Sequence, residues 1–401
     1  MTLDAVSAMG LHSRHAMGKT SMECTAQTTW PGSRRREPQV VAVRTVNEKS
    51  LLSDDHVPVA FNASPLPVAD IGVIIGGEDG RVRFLDTTMQ REYWVRRLDA
   101  GIYSSPVAIP GAADFLVAST GGMVVRFDLR GRAVWTAALS GPVLGTIAYS
   151  PDGGTAYVPV FGHRLVALDV ASGNTKWTFD TASATYQNTY AYDRAPYASP
   201  VVFESGEVVV VDHDDVACLQ ADGLLQWRAR ANGIIRSSPT ICKDMVVCAT
   251  TEGVLCRWTR SGTQLADLTM GGRIDGSLAS IRELVIVPVR GQGISAVDAV
   301  TGAREWHWTG GGLFEYTSLV LGEEQTVLFT SDRGTVCCLD ACSGAFLWES
   351  SQIIGRPDHP TAVHTSPMPC GDGSLYVASY DGDCYRFDHP MLEDPESGRR
   401  P

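Results

Sequence analysis

The sequence predicts an all-β chain, an eight-bladed propeller of four-stranded antiparallel blades whose ring is closed by a strand from the N-terminal end, and three observations carry that expectation. Leu165 to Trp177, LVALDVASGNTKW, returns as Ile294 to Trp306, ISAVDAVTGAREW, and as Val336 to Trp348, VCCLDACSGAFLW, with an Asp, a Ser/Thr-Gly pair and a Trp at the same offsets. Upstream of each copy lie two more strand-like runs, the first often opened by Ser-Pro, so each unit holds four strands. The second strand recurs at Ile71, Phe115, Ala156, Glu207, Met245, Leu284, Val327 and Leu375, in steps of 38 to 51 residues, the spacing of propeller blades and too short for a helix between strands.

Taken in order, residues 1–36 show no hydrophobic period and read as a flexible leader containing a short basic cluster, Arg34-Arg35-Arg36. Glu37 to Val46, EPQVVAVRTV, is a strand with no repeat of its own. The eighth copy starts at Cys384 and runs into His389-Pro390 without its second half, so Val40 to Arg44 is expected to supply the missing outer strand. Closure matters because an open ring would leave two apolar blade faces in water. Blade 1 keeps Asp86 and Trp94 but has Met89-Gln90 where Ser/Thr-Gly should stand. Blades 2 and 4 keep Gly131 and Gly223 in turns one residue shorter, while blades 3, 6 and 7 are the full copies. Blade 5 keeps Ser261-Gly262 but lacks the Trp, which makes Leu265 or Ala266 the expected weak joint. Residues 37–390 are thus read as one domain, with 37–46 closing its last blade, and 391–401 as a flexible tail.

A blade that opens on Ser-Ser-Pro and ends in Asp, two residues, Ser/Thr-Gly, three residues and Trp resembles the repeat of the pyrroloquinoline-quinone-type (PQQ-like) β-propeller family. The resemblance covers roughly Phe61 to Asp388. It implies that Trp94, Trp135, Trp177, Trp227, Trp306 and Trp348 dock between neighbouring blades. The family spans quinoprotein dehydrogenases, outer-membrane assembly scaffolds of the BamB type, and propellers appended to adenylating enzymes or kinases, so the fold leaves function open.

Composition narrows the classes. With 44% apolar residues the chain can bury a substantial core, and a formal charge of -12 argues against nucleic acid or an anionic membrane as partner. No apolar run reaches membrane-spanning length, and the first thirty residues hold no signal-like apolar stretch, so the expectation is a cytoplasmic monomer. Of the ten cysteines, Cys218, Cys248, Cys256, Cys337, Cys338 and Cys384 fall inside predicted strands, where a reduced thiol packs as a small apolar group. There is no CxxC and no Cys/His pair at zinc spacing, so no metal site is expected. Family dehydrogenases use PQQ and calcium beside a vicinal disulfide. Cys337 and Cys338 are vicinal, yet strand alternation points them to opposite faces, and neither cofactor is expected here.

Chemistry in a propeller belongs on its loops. Most links from an outer strand to the next inner strand are short and Gly-rich, but two are long. Thr181 to Ala198 carries Tyr186, Tyr190, Tyr192, Asp193, Arg194 and Tyr197, and Ser351 to His364 carries Arg356, Asp358, His359 and His364. Long loops on a compact repeat point to binding, and tyrosines supply amphipathic contact area. On the same face the residues entering the inner strands are Tyr103, Arg236, Arg273, Asp275, Glu315, Tyr316 and His364. These are candidates to hold a charged ligand, with Glu315, His364 and Asp275 as candidate catalytic acid/base groups; they read equally as wet channel residues paired with one another. Turns on that face add Glu78-Asp79, His163, His213-Asp214-Asp215, Asp332-Arg333 and Asp381. Three functions follow: a non-catalytic module binding a protein or small molecule through its loop face, a cofactor-free lyase, isomerase or cyclase of a specialised biosynthetic pathway, and, least favoured, a PQQ-dependent dehydrogenase. Whether the chain is an enzyme is left open.

Overall fold

A computed structural model describes residues 38–49, 56–181, 198–310, 318–322, 325–351, 354 and 365–388. The regular elements among them are all strands, assembled as eight four-stranded antiparallel sheets and one two-stranded hairpin. Blade 1 comprises Leu66–Val68, Gly72–Gly76, Arg81–Asp86 and Glu92–Arg97, in order from axis to rim, and the later blades repeat that order. The eighth takes its inner three strands from Met368–Pro369, Leu375–Ala378 and Asp383–Asp388 and its outermost from Gln39–Thr45, which pairs antiparallel with Asp383–Asp388. The expected closing strand therefore forms, one residue longer at each end than Val40 to Arg44. Backbone bonds from Val46 N to Gly382 O (2.8 Å) and Phe61 N to Ser379 O (3.2 Å) carry the chain across that seam.

The core is distributed. Each joint between neighbouring blades holds its own apolar cluster, from Phe84, Trp94, Phe115 and Phe127 between blades 1 and 2 to Val59, Phe61, Met89 and Tyr376 between blades 8 and 1. Each buried aliphatic side chain in them contributes about 1.5–3 kcal/mol. Cys337 packs in the cluster between blades 6 and 7 and Cys338 in the next, so the vicinal thiols do face opposite ways. Burial pushes the thiols of Cys218, Cys242 and Cys337 up to about 12, which makes them inert packing groups.

The repeated letters are turn and joint chemistry. Oδ1 of Asp169 accepts from Ser172 N (2.8 Å) and Ser172 Oγ (2.7 Å), and Asp298 and Asp340 cap their turns through the same oxygen. The turn closes on a glycine of positive φ, 75° at Gly173, and that glycine lies under the tryptophan of the preceding blade. A Cβ at Gly173 would stand 2.6 Å from Trp135 Cδ2, the same holds for Gly131 under Trp94 and Gly223 under Trp177, and one at Gly262 would stand 2.6 Å from Trp227 Cγ. Each indole also donates across the joint: Trp94 to Leu129 O (2.8 Å), Trp135 to Val170 O (2.9 Å), Trp177 to Ala221 O (3.0 Å), Trp227 to Arg260 O (2.8 Å) and Trp306 to Ala341 O (3.2 Å).

Two blades lack the tryptophan, and both replace it. In blade 5, buried Arg257 donates from Nη1 to Ala299 O (3.0 Å), the equivalent carbonyl of blade 6, while Leu268 lies over Gly302. Blade 5 is thus not left open at Leu265 and Ala266: Arg257 also binds Ala266 O at 2.8 Å. In blade 8, Ala42 stands opposite Arg386 at the tryptophan register, and Arg386 Nη1 donates to Thr87 O (2.9 Å) of blade 1. Met89, at φ 58°, occupies the turn position that Gly131 takes in blade 2, and its fully buried side chain fills the room the indole would take.

Candidate functional site

The channel wall is stitched by the Ser or Thr that opens each inner strand, written as Ser-Pro in blades 1, 2, 4, 5 and 8. Backbone N–H groups donate to the hydroxyl of the next blade from Ser366 to Ser64 (3.0 Å), Ser64 to Ser105 (2.9 Å), Thr146 to Ser199 (2.9 Å), Ser199 to Ser238 (2.9 Å), Ser238 to Ser277 (3.3 Å) and Ser277 to Ser318 (3.1 Å). This girdle fixes the inner strands in register around the axis. It places Asn62, Tyr103, Leu144, Arg236 and Asp275, each two residues ahead of a girdle position, at equivalent points of one channel mouth.

Two polar groupings form there. Tyr103 Oη donates to Glu78 Oε1 at 2.6 Å, and Asn62 Nδ2 donates to the same oxygen. Glu78, a turn residue in the sequence reading, is therefore the centre of a three-residue cluster spanning blades 1 and 2. On the other side Arg273 grips Asp275 with Nε (2.5 Å) and Nη2 (2.8 Å), and the Asp275 carboxylate is 5% exposed. Of the expected binding set, Arg273 and Asp275 thus meet each other, Tyr103 meets Glu78, and Arg236 stands at the same level of the mouth. Glu315, Tyr316, His364, Tyr190, Asp193, Tyr197 and His359 lie outside the described residues.

Behind the mouth, Asp79 is buried against Arg83, with Arg81 Nη1 at 3.0 Å. Burial alone would raise this carboxyl, but the hydrogen bonds and charge of Arg83, helped by Arg81, hold it below its ordinary 3.8. Between blades 3 and 4, His163 Nδ1 lies 2.7 Å from Asp212 Oδ2, which also accepts from the Thr181 hydroxyl. His213 Nδ1 is 3.1 Å from Asp214 Oδ1, and Asp215 lies 3.7 Å from Arg230. Among the described residues no three His, Cys, Asp or Glu side chains assemble as a metal site.

The turns and links of this face are laced by backbone bonds, such as Thr120 N to Gly101 O (2.8 Å) and Thr251 N to Ile234 O (2.7 Å). Four links are nine residues long: 98–106, 139–147, 231–239 and 270–278. Three are about twice that: 181–200, 350–367 and 46–65. The third was missed in the sequence. It carries the hairpin Asn47–Lys49 with His56–Pro58, pinned at its base by Val59 N to Val46 O (2.9 Å). The signal was there in the twenty residues between Thr45 and Leu66. Two long links flank blade 8, and the third lies half a ring away between blades 3 and 4.

Comparison with known proteins agrees with this architecture. The profile of the family described as outer membrane protein assembly factor BamB matches residues 36–213, 192–307 and 290–390. A curated relative from Nitrosomonas eutropha, named outer membrane protein assembly factor BamB, is 28% identical over 148 residues; that is 37% of this chain and 35% of the relative, so the match spans about a third of its length. The crystal structure of BamB from Moraxella catarrhalis superposes with a TM-score of 0.66 at 18% identity, covering 88% of this chain and 99% of that one. The computationally designed Ika8 protein superposes at 0.68 with 14% identity, over 87% and 99%. Likeness to these two structures lies in the fold.

Proposed function

Since the chain belongs to the family of the outer membrane protein assembly factor BamB, a PQQ-repeat β-propeller family, we propose that it is a non-catalytic binding module that captures a protein or small molecule on its loop face. One observation carries this reading: three of the eight links on that face are about twice the length that the scaffold needs, while the described polar groups at the mouth, Tyr103 with Glu78 and Arg273 with Asp275, bind one another. Chain that closure does not require is chain free to contact a partner. Of the three acid/base candidates, Asp275 is gripped by Arg273 at the mouth, and Glu315 and His364 lie outside the described residues.

The test is a link exchange. Link 181–200 is replaced by a nine-residue link of the 98–106 kind, with thermal unfolding as the fold control, and bound partners are recovered by affinity capture from the native host. Loss of a specific partner at unchanged melting temperature supports the reading; recovery of the same partners with the short link overturns it. The compartment belongs to the same proposal. The nine described thiols, eight of them buried, suit the reducing cytoplasm, and cell fractionation decides between that and the envelope address in the family's name.

A further inference from the structure

Cys248 and Cys256 stand directly opposite one another on the second and third strands of blade 5, Met245–Ala249 and Val254–Thr259. Both side chains are fully buried in one apolar cluster, between blades 4 and 5, so they share a face of the sheet. Thr250 N donates to Val254 O at 2.9 Å where this hairpin turns, and two residues further along the ladder the cysteines form the next hydrogen-bonded pair. The α-carbons of such a pair lie about 5.5 Å apart, inside the range of about 4.4–6.8 Å that a disulfide spans. None of the other described strand cysteines is opposed by a cysteine; Cys218, for one, has Val209 and Trp227 beside it.

The sulfur of Cys256 lies one layer beneath the surface. It accepts from Asn232 N at 3.4 Å, its thiol donates to the Asp267 carboxylate, and Asn232 and Asp267 are both exposed. The outer strand beside it, Leu268–Thr269, is two residues long, where the other blades have four to seven. Burial raises both thiols, Cys256 to about 11, so neither reacts while the blade is closed. A strand held by so few ladder bonds opens locally at low cost, and that opening uncovers Cys256 with Cys248 behind it.

We propose that Cys248 and Cys256 form a reversible cross-strand disulfide in the folded chain, closed by exchange with an oxidised thiol such as glutathione disulfide. Cys256, as thiolate, attacks one sulfur of the oxidant and expels a thiolate; Cys248, as thiolate, then attacks the Cys256 sulfur and expels the second. The two protons of the protein thiols end on the two expelled thiols, and the two electrons go with them. Opposed Cβ atoms start about 4.5–5.5 Å apart and a disulfide holds them at about 3.5–4.5 Å, so closure draws the strands together and the bond reopens in excess thiol. In the cytoplasm the pair rests reduced and closes under oxidation, and in an oxidising compartment it rests closed. The site stands whether or not the long links capture a partner.

The test starts from the reduced, folded full chain, held with glutathione disulfide at mildly alkaline pH, with circular dichroism as the fold control. Free thiols are then blocked with N-ethylmaleimide in denaturant, and the chain is cut with trypsin and weighed. The tryptic peptide 244–257 holds these two cysteines and no other, so the closed bond leaves it two hydrogens lighter than the reduced peptide and without maleimide. Nearly all of it should take that form, and reduced glutathione should restore both maleimides. Peptide 334–386, which holds five cysteines, should keep all five maleimides throughout. Cys248→Ala should trap Cys256 as its mixed disulfide with glutathione; if that variant fails to fold, the parent chain alone decides. Two maleimides on 244–257 after oxidation, glutathione left on Cys256 of the parent, a bond that reduced glutathione does not reopen, or equal loss of maleimide from 334–386 would overturn the proposal.

Discussion

Arg257 Nη1 lies 3.0 Å from Ala299 O, the carbonyl at the position that takes a tryptophan Nε1 in five other joints. A side chain from the third strand thus does the work of one missing from the fourth. The guanidinium also binds Val300 O at 3.0 Å and Ala266 O at 2.8 Å, so three carbonyls depend on it.

Arg257→Leu keeps apolar volume but orphans those carbonyls. Leaving a buried acceptor without a donor costs roughly 1–3 kcal/mol, and at least one such loss is expected in urea unfolding. A variant as stable as the parent would show that Leu268 alone seals the joint.

Gly173 and Gly162 both hold positive φ, 75° and 97°, but only Gly173 lies under an indole; nothing stands within 4 Å of a Cβ at Gly162. The left-handed conformation costs an alanine roughly 1–2 kcal/mol at either site. Gly173→Ala must also displace Trp135 and should lose clearly more stability than Gly162→Ala. Equal losses would remove the steric role assigned to the joint.

Asp79→Asn tests the buried pair through pH. The folded carboxyl titrates below its ordinary 3.8, so the native state binds fewer protons than the unfolded chain there. Its stabilisation is complete above about pH 4 and is lost as pH falls through the folded value. At pH 7 the Asn variant leaves Arg83 buried without its counter-charge and should lose about 3–5 kcal/mol. That gap should narrow in urea midpoints taken from pH 7 down to pH 3. A constant gap would mean that Asp79 contributes shape rather than charge.

Strictly local features were legible in the sequence. The Asp cap, the positive-φ glycine and the outer-strand tryptophan recur because each blade solves the same turn and joint, and repetition reveals them. What needs two blades at once was not legible. Arg257 and Arg386 replace an indole only when the register of one blade is laid against the carbonyl of the next. The serines of Ser-Pro were visible as letters, but their girdle requires the ring. At the mouth, Glu78 joins Tyr103 and Asn62 from 25 and 16 residues away, a convergence that composition does not carry.

The seam between blades 8 and 1 gives the sharpest test of the joint rule. Every other outer strand that carries a tryptophan and meets a described turn sets it on a glycine, and here the pair is inverted into Ala42 and Met89. Met89→Gly alone removes a fully buried side chain, at about 2–5 kcal/mol for a cavity of that size. Ala42→Trp alone forces an indole onto Met89 and should cost about 1–3 kcal/mol by overpacking. The double variant restores the pairing used elsewhere in the ring, so its loss should be smaller than the sum of the two and smaller than the larger single loss. Additive losses would show that the seam is held by the strand pairing alone. In that case removing residues 1–46 should lower the melting temperature far more than removing 1–36, and equal melting temperatures for those truncations would discard closure by Gln39–Thr45 altogether.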